Sequence, residues 1–258
     1  MNFALCDSHA HLTDEKFEDD LGEVLSRAAS VGVAHIIDVG IDQKTSVAAL
    51  ENAAAHPQVS ATVGLHPHDA KDYSSGLMDF FDNLAADRRV VAIGETGLDR
   101  YYNHSPMNVQ IESLEAHIEL AARNALPLVI HCREAYKELI EILRDYADDK
   151  NLWQVHCYSG NESELAALTE LDCYFSVGGM VTFKNYKGEE IVRSIPASRL
   201  LLETDCPYLA PAPRRGKRNE PSMLVHTAER VAAMREETVE NIARATTDNF
   251  NRLFGATA

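Results

Sequence analysis

The chain lacks any apolar run close to the roughly 20 residues that a membrane-spanning helix requires. Residues 1–5 also lack the basic segment and long apolar stretch of a secretory signal, so we expect a cytoplasmic protein without a membrane partner. Low-complexity segments and Gly/Ser-rich linkers are absent as well. The simplest organisation of the 258 residues is therefore one domain, residues 1–258.

Cysteine is scarce, and its spacing argues against two kinds of site. The five residues are Cys6, Cys132, Cys157, Cys173 and Cys206. Because the number is odd and no CxxC pair occurs, we expect neither disulfide bonds nor a cysteine zinc site.

Positively charged residues are also fewer than negatively charged ones. Lysine and arginine total 24 against 40 aspartate and glutamate residues, which gives a net charge of −16. Such an acidic chain is not expected to bind a nucleic-acid backbone tightly and without sequence preference. The one dense basic run, residues 214–218, therefore marks a candidate for a local phosphate site.

The chain is rich in short β-branched and apolar runs, which alternate with segments of helical periodicity. Eight runs are predicted to be strands, at residues 3–7, 35–39, 60–64, 90–94, 128–131, 153–156, 174–177 and 200–203. Residues 222–254 are predicted to be helical in one or two pieces. This alternation favours an α/β fold, a parallel sheet closed into a (β/α)8 TIM-type barrel. An open doubly wound sheet is the alternative, but no GxGxxG dinucleotide signature follows the first strand.

Residues of metal-ligand type stand where several predicted strands end. His9 and His11 are two residues apart, and in extended backbone such residues point to the same side. Taken singly, a histidine or carboxylate at such a place is more often structural than a ligand. The carboxyl ends of a parallel barrel converge on one mouth, however, where the active sites of this fold lie. Six residues are therefore predicted to form one metal site: His9, His11, Glu95, His131, His156 and Asp205.

The composition of this set predicts the kind of metal site. Four imidazoles and two carboxylates suit zinc, manganese or iron-like ions. Six ligands exceed the three or four that one catalytic ion usually takes from the protein. Two ions bridged by Glu95 fit better, and two ions about 3.5–4 Å apart are a familiar arrangement for cleaving phosphoesters with an activated, bridging hydroxide.

Four further residues near the predicted mouth are candidates for substrate contact. His66 follows the third strand and is expected to touch substrate. Arg133, taken to start the helix after the fifth strand, is expected to clamp a phosphate or form a surface ion pair. Tyr158 is expected to stack on a base or to cap the barrel. Arg215, in the basic run after the eighth strand, is expected to bind phosphate, with a solvated loop as the alternative.

Glu203 and Asp205 are the predicted catalytic carboxylates. Glu203 lies two residues before Asp205 and should face inward one layer deeper. It is predicted either to orient a metal ligand or to transfer a proton to or from metal-bound water. Cys132 and Cys157 each follow a predicted ligand, so strand alternation predicts that they point outward under the helices.

Five motifs resemble those of the TatD family of metal-dependent deoxyribonucleases, within the wider amidohydrolase-like barrels. They are VGLHP at 63–67, GETGLD at 94–99, HCREA at 131–135, HCYSG at 156–160 and LETDCPYL at 202–209. The resemblance extends from DSHAHL at 7–12 to TDNF at 247–250, nearly the whole chain. The chain departs at Glu134, where many members have Asp, and at Tyr158, where many have Phe. Neither departure touches a predicted ligand.

The resemblance implies a TIM-type barrel with two or three divalent ions, magnesium or manganese for activity and zinc as a further possibility. It implies hydrolysis of DNA phosphodiesters, typically from a 3′ end, with single-stranded DNA or a 3′ end as the partner, and a role in DNA repair. We expect a monomer. The implied ligands are His9, His11, Glu95 and Asp205 for the first ion and Glu95, His131 and His156 for the second, with Glu203 as the additional acidic residue.

Two alternatives remain open at this point. The same barrel can hydrolyse an amide, a lactone or an aminoacyl ester, and some TatD-like proteins are thought to act on aminoacyl-tRNA esters. A binding protein that keeps the metal site as a relic commonly loses a ligand, whereas this chain keeps all six.

Overall fold

Eight parallel strands form a barrel in chain order. The computed structural model describes residues 4–147 and 152–255. Each strand pairs with the next in parallel, and all belong to one sheet. The strands are β1 (Leu5–Ala10), β2 (Val33–Val39), β3 (Val59–Val63), β4 (Val90–Asp99), β5 (Leu128–Arg133), β6 (Trp153–Val155), β7 (Tyr174–Val177) and β8 (Leu200–Leu202). The predicted (β/α)8 class is confirmed.

The first and last strands meet through the residues that carry the predicted ligands. The Asp205 N–H donates to the His9 carbonyl at 2.9 Å, and the His11 N–H donates to the Cys206 carbonyl at 2.8 Å. These bonds join the ends of β1 and β8, so the ring closes at the mouth. Such closure pairs backbone groups that an open sheet edge would leave unpaired.

Helices cover the outside of the barrel, and the predicted helical C-terminal region forms two pieces. The longer helices are α1 (Leu21–Ser30), α2 (Gln43–Ala55), α3 (Ser75–Ala85), α4 (Met107–Asn124), α5 (Tyr136–Asp145), α6 (Glu162–Glu170), α7 (Glu189–Ser194), α8 (Leu224–Arg235) and α9 (Val239–Phe254). Short 3-10 turns lie at Glu15–Phe17, Pro67–Asp72, Gly179–Thr182 and Pro221–Met223. No helix within 4–147 or 152–255 is long and apolar enough to cross a membrane.

The core lies between the strands and the helices. Strands buried on both faces, such as β8 with its three leucines, read as continuous apolar runs because helices cover the outside of the sheet and side chains fill the barrel. Each helix turns an apolar stripe inward. The last helix α9, for example, buries Phe250, Leu253 and Phe254 in the layer that also holds Ile37 and Leu201 of the barrel.

Strand boundaries differ from the prediction where they matter for the site. β4 continues to Asp99, five residues beyond the predicted end, and β5 continues to Arg133. Arg133 therefore ends a strand and does not begin the next helix, which starts at Tyr136. Residue 3, the predicted start of the first strand, lies outside the described residues.

Candidate metal centre

One group of ligand-type side chains forms where β1 meets the segment after β8. His11 Nε2 lies 3.3 Å from Asp205 Oδ1, and His9 Nε2 lies 4.0 Å from the same oxygen. The backbone bonds that close the barrel hold these residues in register. Asp205 has a positive φ of 53°, and its carboxylate lies beside both histidines.

Glu95, near the middle of β4, lies between two histidine groups. Its Oε2 is 3.2 Å from His9 Nε2 and 3.8 Å from His11 Nε2. Its Oε1 is 2.8 Å from His156 Nε2 and 3.2 Å from His131 Nδ1. His66 Nε2 also lies 3.4 Å from Oε1, so each carboxylate oxygen faces a different set of imidazoles, as a bridge between two cations would.

The donor atoms of these residues suit divalent cations. His9 is fully buried, yet both of its ring nitrogens lack a hydrogen-bond partner, as do His11 Nδ1 and His156 Nδ1. An unpaired buried polar group costs about 1–3 kcal/mol, so such a cluster is expected to have a further partner. The sets whose donor atoms lie close enough to hold one ion include His9, His11 and Asp205, and Glu95, His131 and His156.

Charge within the cluster favours ionised carboxylates beside imidazoles. Burial raises the pKa of Glu95, but the charges of His156 and neighbouring histidines outweigh it and hold that pKa well below its usual value. Burial likewise lowers the pKa of His11, but its bond with Asp205 outweighs burial and raises the pKa to about 9. Burial, with the charge of His156, lowers the pKa of His9. Neutral His9 therefore has a lone pair available to a cation.

Glu203 lies one layer below the cluster, as its spacing from Asp205 predicts. It is fully buried, and its Oε2 accepts a hydrogen bond from Ser176 Oγ at 2.5 Å. Its Oε1 is 3.7 Å from His156 Nδ1. The His156 ring thus stands between Glu95 on one side and Glu203 on the other, so Glu203 reaches the centre through His156.

Asp99, at the end of β4, is a further residue of the centre that the sequence prediction missed. It is fully buried, and its Oδ2 lies 2.9 Å from His131 Nε2 and 3.0 Å from His68 Nε2. Gln110 of α4 fixes the Asp99 backbone by bonding both its N–H and its carbonyl. Residues 95, 97 and 99 alternate onto one face of an extended strand, so a longer predicted β4 would have revealed Asp99.

Three of the four substrate-contact candidates lie in the cluster or at the accessible surface. His66 belongs to the cluster, with Nε2 3.4 Å from Glu95 Oε1. Arg133 lies at the rim, its guanidinium carbon 3.9 Å from the centre of the Tyr101 ring. Arg215 is exposed and stacks on Phe183 at 3.8 Å.

Tyr158, in contrast, lies away from the opening. It is 2% exposed, packs edge-on against Phe175 and Tyr136, and donates its hydroxyl hydrogen to the Asn161 carbonyl. A ring enclosed in this way has no face for a base, which agrees with the alternative that Tyr158 caps the barrel.

The basic run 214–218 is not one uniform phosphate site. Arg218 is committed to an ion pair with Asp20 at 2.7 Å and lies 3.9 Å from Glu220. Arg214, Arg215 and Lys217 remain exposed. Only part of the predicted basic surface is therefore available to an anion.

The two cysteines beside the ligands differ in orientation. Cys132 is buried in the apolar core, as alternation predicts. The outward prediction is wrong for Cys157, because its environment includes the carboxylates of the centre: burial, and then the charge of Glu203, holds the pKa of its thiol well above the usual value. The strand β6 ends at Val155, and Cys157 has a positive φ of 46°, so strand alternation no longer applies there.

Comparison with known proteins identifies the family of this barrel. A family model described as TatD related DNase matches residues 6–255. The chain belongs to the TatD family. The resemblance drawn from the five motifs is therefore confirmed.

Relatives of this TatD chain agree on its chemistry. It is 41% identical to the "Uncharacterized metal-dependent hydrolase YabD" of Bacillus subtilis (strain 168), over 97% of this chain and 98% of that protein. It is 36% identical to the "3'-5' ssDNA/RNA exonuclease TatD" of Pantoea ananatis (strain LMG 20103), over 96% and 98% of the two chains. The crystal structure of YJJV, a TatD homologue from Escherichia coli K12, superposes with a TM-score of 0.92 at 27% identity and 98% coverage of both chains. The chain is thus a TatD-type metal-dependent hydrolase that acts on ester bonds.

Proposed function

We propose that this hydrolase is a 3′-to-5′ exonuclease that removes nucleotides from single-stranded DNA. The observation that carries the proposal is Glu95, whose two oxygens face separate sets of histidines, His9 and His11 at Oε2 and His66, His131 and His156 at Oε1. A carboxylate bridge of this kind suits a two-ion centre, and two-ion centres are common in enzymes that cleave phosphodiesters. A relative named as a 3′-5′ ssDNA/RNA exonuclease, 36% identical over nearly the whole chain, supports the same substrate class.

The ligands divide into two sets that share Glu95. We assign the first ion to His9, His11, Glu95 and Asp205, and the second to Glu95, His131 and His156. Such ions, magnesium or manganese in the working enzyme or zinc as an alternative, supply Lewis acidity and lower the pKa of a bound water.

The remaining side chains act on substrate and on the ligands. His66 and Arg133 face the mouth, where an imidazole and a guanidinium can bind the oxygens of a phosphodiester. We propose that Arg215 contacts a phosphate further along the strand. Asp205, with a side chain 14% exposed, is the carboxylate placed to take a proton from the attacking water.

Glu203 is proposed to orient His156. Its Oε1 faces His156 Nδ1 while the opposite nitrogen of that ring faces Glu95, an arrangement in which a carboxylate fixes the direction of a ligand. Direct proton transfer by Glu203 is the alternative role, which would require a water between Glu203 and the reacting phosphate.

The test uses a single-stranded oligonucleotide labelled at its 5′ end or at its 3′ end, with magnesium, manganese or chelator. A metal-dependent ladder from the 5′-labelled strand, with early release of the 3′ label as mononucleotide, is the expected result. Lack of cleavage under every metal, together with hydrolysis of an aminoacyl or lactone ester, would replace the proposal with a carbonyl-hydrolase function.

A pair of histidine variants ties this activity to the centre. His131→Ala removes one side of the Glu95 bridge and is expected to lower metal-supported turnover at least about 100-fold, which corresponds to about 2.7 kcal/mol, without unfolding the barrel. His226→Ala is the matched control, because His226 lies on α8 beside Glu229 and outside the cluster. Equal activity of the two variants would refute the ligand assignment.

A cytoplasmic location, a role in DNA repair, a single domain and a monomeric state remain predictions. Gel filtration with light scattering tests the last of these directly.

A further inference from the structure

Three tyrosines stand out on the surface of the barrel. Among the described residues, the exposed large apolar side chains are Tyr101, Tyr102 and Tyr208, which are 53%, 50% and 48% exposed. Tyr101 and Tyr102 follow β4, and Tyr208 follows β8. All three therefore lie in loops at the mouth, where the metal centre opens.

The pair Tyr101 and Tyr102 lies across that mouth from Tyr208. In a closed ring of eight strands taken in order, β4 and β8 are four places apart, which puts them on opposite sides. The Tyr208 ring centre is 6.0 Å from that of His11. The Tyr102 ring centre is 5.3 Å from that of His68, which shares the carboxylate of Asp99 with His131. Tyr208 therefore lies next to the candidate ligand His11, and the side chain of His68 lies between Tyr102 and the candidate ligand His131.

A cation accompanies each group of rings. The Arg133 guanidinium carbon lies 3.9 Å from the Tyr101 ring centre and 4.9 Å from that of Tyr102. Lys16 Nζ lies 5.0 Å from the Tyr208 ring centre. Within residues 4–147 and 152–255, no carboxylate forms an ion pair with Arg133, although the chain carries a net charge of −16. An unpaired arginine on an aromatic ring, beside a centre that hydrolyses esters, is suited to a substrate with both phosphates and rings.

We infer that Tyr101 and Tyr208 are stacking platforms for the two bases that flank the scissile phosphate. The inference rests on the proposed nuclease function and specifies how the substrate is held. Arg133 covers one face of Tyr101 and Tyr102 contacts the ring edge-on, yet Tyr101 remains 53% exposed and accessible to a base. Aromatic rings bind bases of any sequence because every base has a π-face. Bases paired in a duplex do not expose these faces, so the platforms select unpaired strands.

Packing within the loops is the competing explanation of these rings. Tyr101 and Tyr102 contact each other edge-on at 4.8 Å, and the Tyr208 hydroxyl donates to Asp14 Oδ2 at 3.0 Å. Under this explanation, the hydroxyl of Tyr208 and the bulk of Tyr101 matter, and the base of the substrate does not. Replacement of each tyrosine by Phe or by Leu separates the two explanations, because Phe keeps the π-face and Leu keeps only apolar bulk.

The test is a double-mutant cycle between ring and base. Single strands carry a normal nucleotide or an abasic one at the last or the penultimate position, and kcat/KM is measured for wild type, Tyr101→Leu, Tyr208→Leu and the two Phe variants. Loss of one base is expected to lower kcat/KM of the wild type about tenfold, or about 1.4 kcal/mol. In each Leu variant, removal of the base that stacks on the replaced ring should lower kcat/KM less than about twofold. In the matching Phe variant, removal of that base should still lower kcat/KM about tenfold. Equal abasic losses in Leu variants and wild type would overturn the inference.

A binding measurement keeps this result separate from the fate of the nuclease proposal. Fluorescence anisotropy reports binding of the metal-loaded full chain to a single strand whose last linkages are phosphorothioates. Cleavage of ordinary strands without ring–base coupling would leave the nuclease function standing and refute the platforms. Ring–base coupling in binding without cleavage of any strand would keep the platforms and refute the nuclease function. Absence of both would refute both.

Discussion

At the scale of single residues, the proposed ligands are held in place by side chains behind them. His131 presents Nδ1 to Glu95, while its Nε2 lies 2.9 Å from Asp99. A carboxylate behind a histidine ligand fixes the tautomer and direction of the ring and raises its basicity. Asp99 holds this place because β4 extends far enough to bring residue 99 onto the same face as residue 95.

Replacement of Asp99 by Asn keeps the shape of the side chain but removes its charge. The loss of a carboxylate behind a metal-binding histidine typically costs 10–100-fold in affinity, so Asp99→Asn should weaken binding of one of the two proposed ions, measured with manganese, by about that factor. Isothermal titration calorimetry measures the two sites separately. The control is Asp79→Asn, at an exposed position on α3. Unchanged affinity of both sites in Asp99→Asn would exclude the positioning role.

At the scale of elements, helix α4 holds the loop that follows β3. The N–H of Leu65 donates to His117 Nε2 at 3.0 Å, and His117 Nδ1 lies 2.7 Å from the Ser113 carbonyl. Since Nε2 accepts a bond, the imidazole is neutral with its hydrogen on Nδ1. Leu65 precedes His66, so a buried histidine on a helix fixes a residue of the centre.

The burial of His117 predicts a pH dependence of stability. Burial lowers its pKa from 6.5 to about 4. Below pH 6.5 the unfolded chain binds a proton that the folded chain does not take up until about pH 4, so stability falls as the pH falls through this window. By this linkage, His117 should account for about 2 kcal/mol of the stability lost between pH 7 and pH 5. Urea unfolding of wild type and His117→Gln at both pH values tests this, because the loss should be smaller by that amount in the variant. An equal loss in both proteins would contradict the assignment.

Comparison of the predicted and observed strands shows which features of the fold sequence patterns can predict. Apolar runs predicted all eight strands because parallel strands are buried on both faces. Local patterns could not predict that β4 continues beyond Glu95, because Gly97 (φ +142°) looks like a strand terminator. It is needed there for contact with β5, since a Cβ atom at Gly97 would lie 1.9 Å from the His131 carbonyl oxygen. Cys157 was misplaced for a related reason: β6 ends at Val155, and alternation does not govern side chains beyond the strand.

At the scale of the whole molecule, the acidic surface and the few free cations at the mouth act in opposite directions. A net charge of −16 repels a nucleic-acid strand, and Arg218 is already committed to Asp20. Arg133 and Arg215 are the arginines proposed to meet phosphates. Binding should therefore depend on the metal centre and on ring stacking more than on a broad basic surface.

This balance predicts a shallow dependence on salt. With about two phosphate contacts on a single strand, log(kcat/KM) should fall with log[salt] at a slope of about −1.4. Arg133→Gln should reduce the slope by about 0.7, whereas Arg88→Gln, at an exposed position before β4, should leave it unchanged. Rates at fixed magnesium and increasing potassium chloride measure the slope. A slope steeper than about −4 would imply an extended phosphate-binding surface.

The bridging position of Glu95 is the central claim, and crystallography with manganese tests it most directly. Anomalous scattering from the wild-type protein should show two manganese ions about 3.5–4 Å apart, one on each side of the Glu95 carboxylate, with His9 and His11 at one ion and His131 and His156 at the other. A single ion, or two ions that do not share Glu95, would contradict the account.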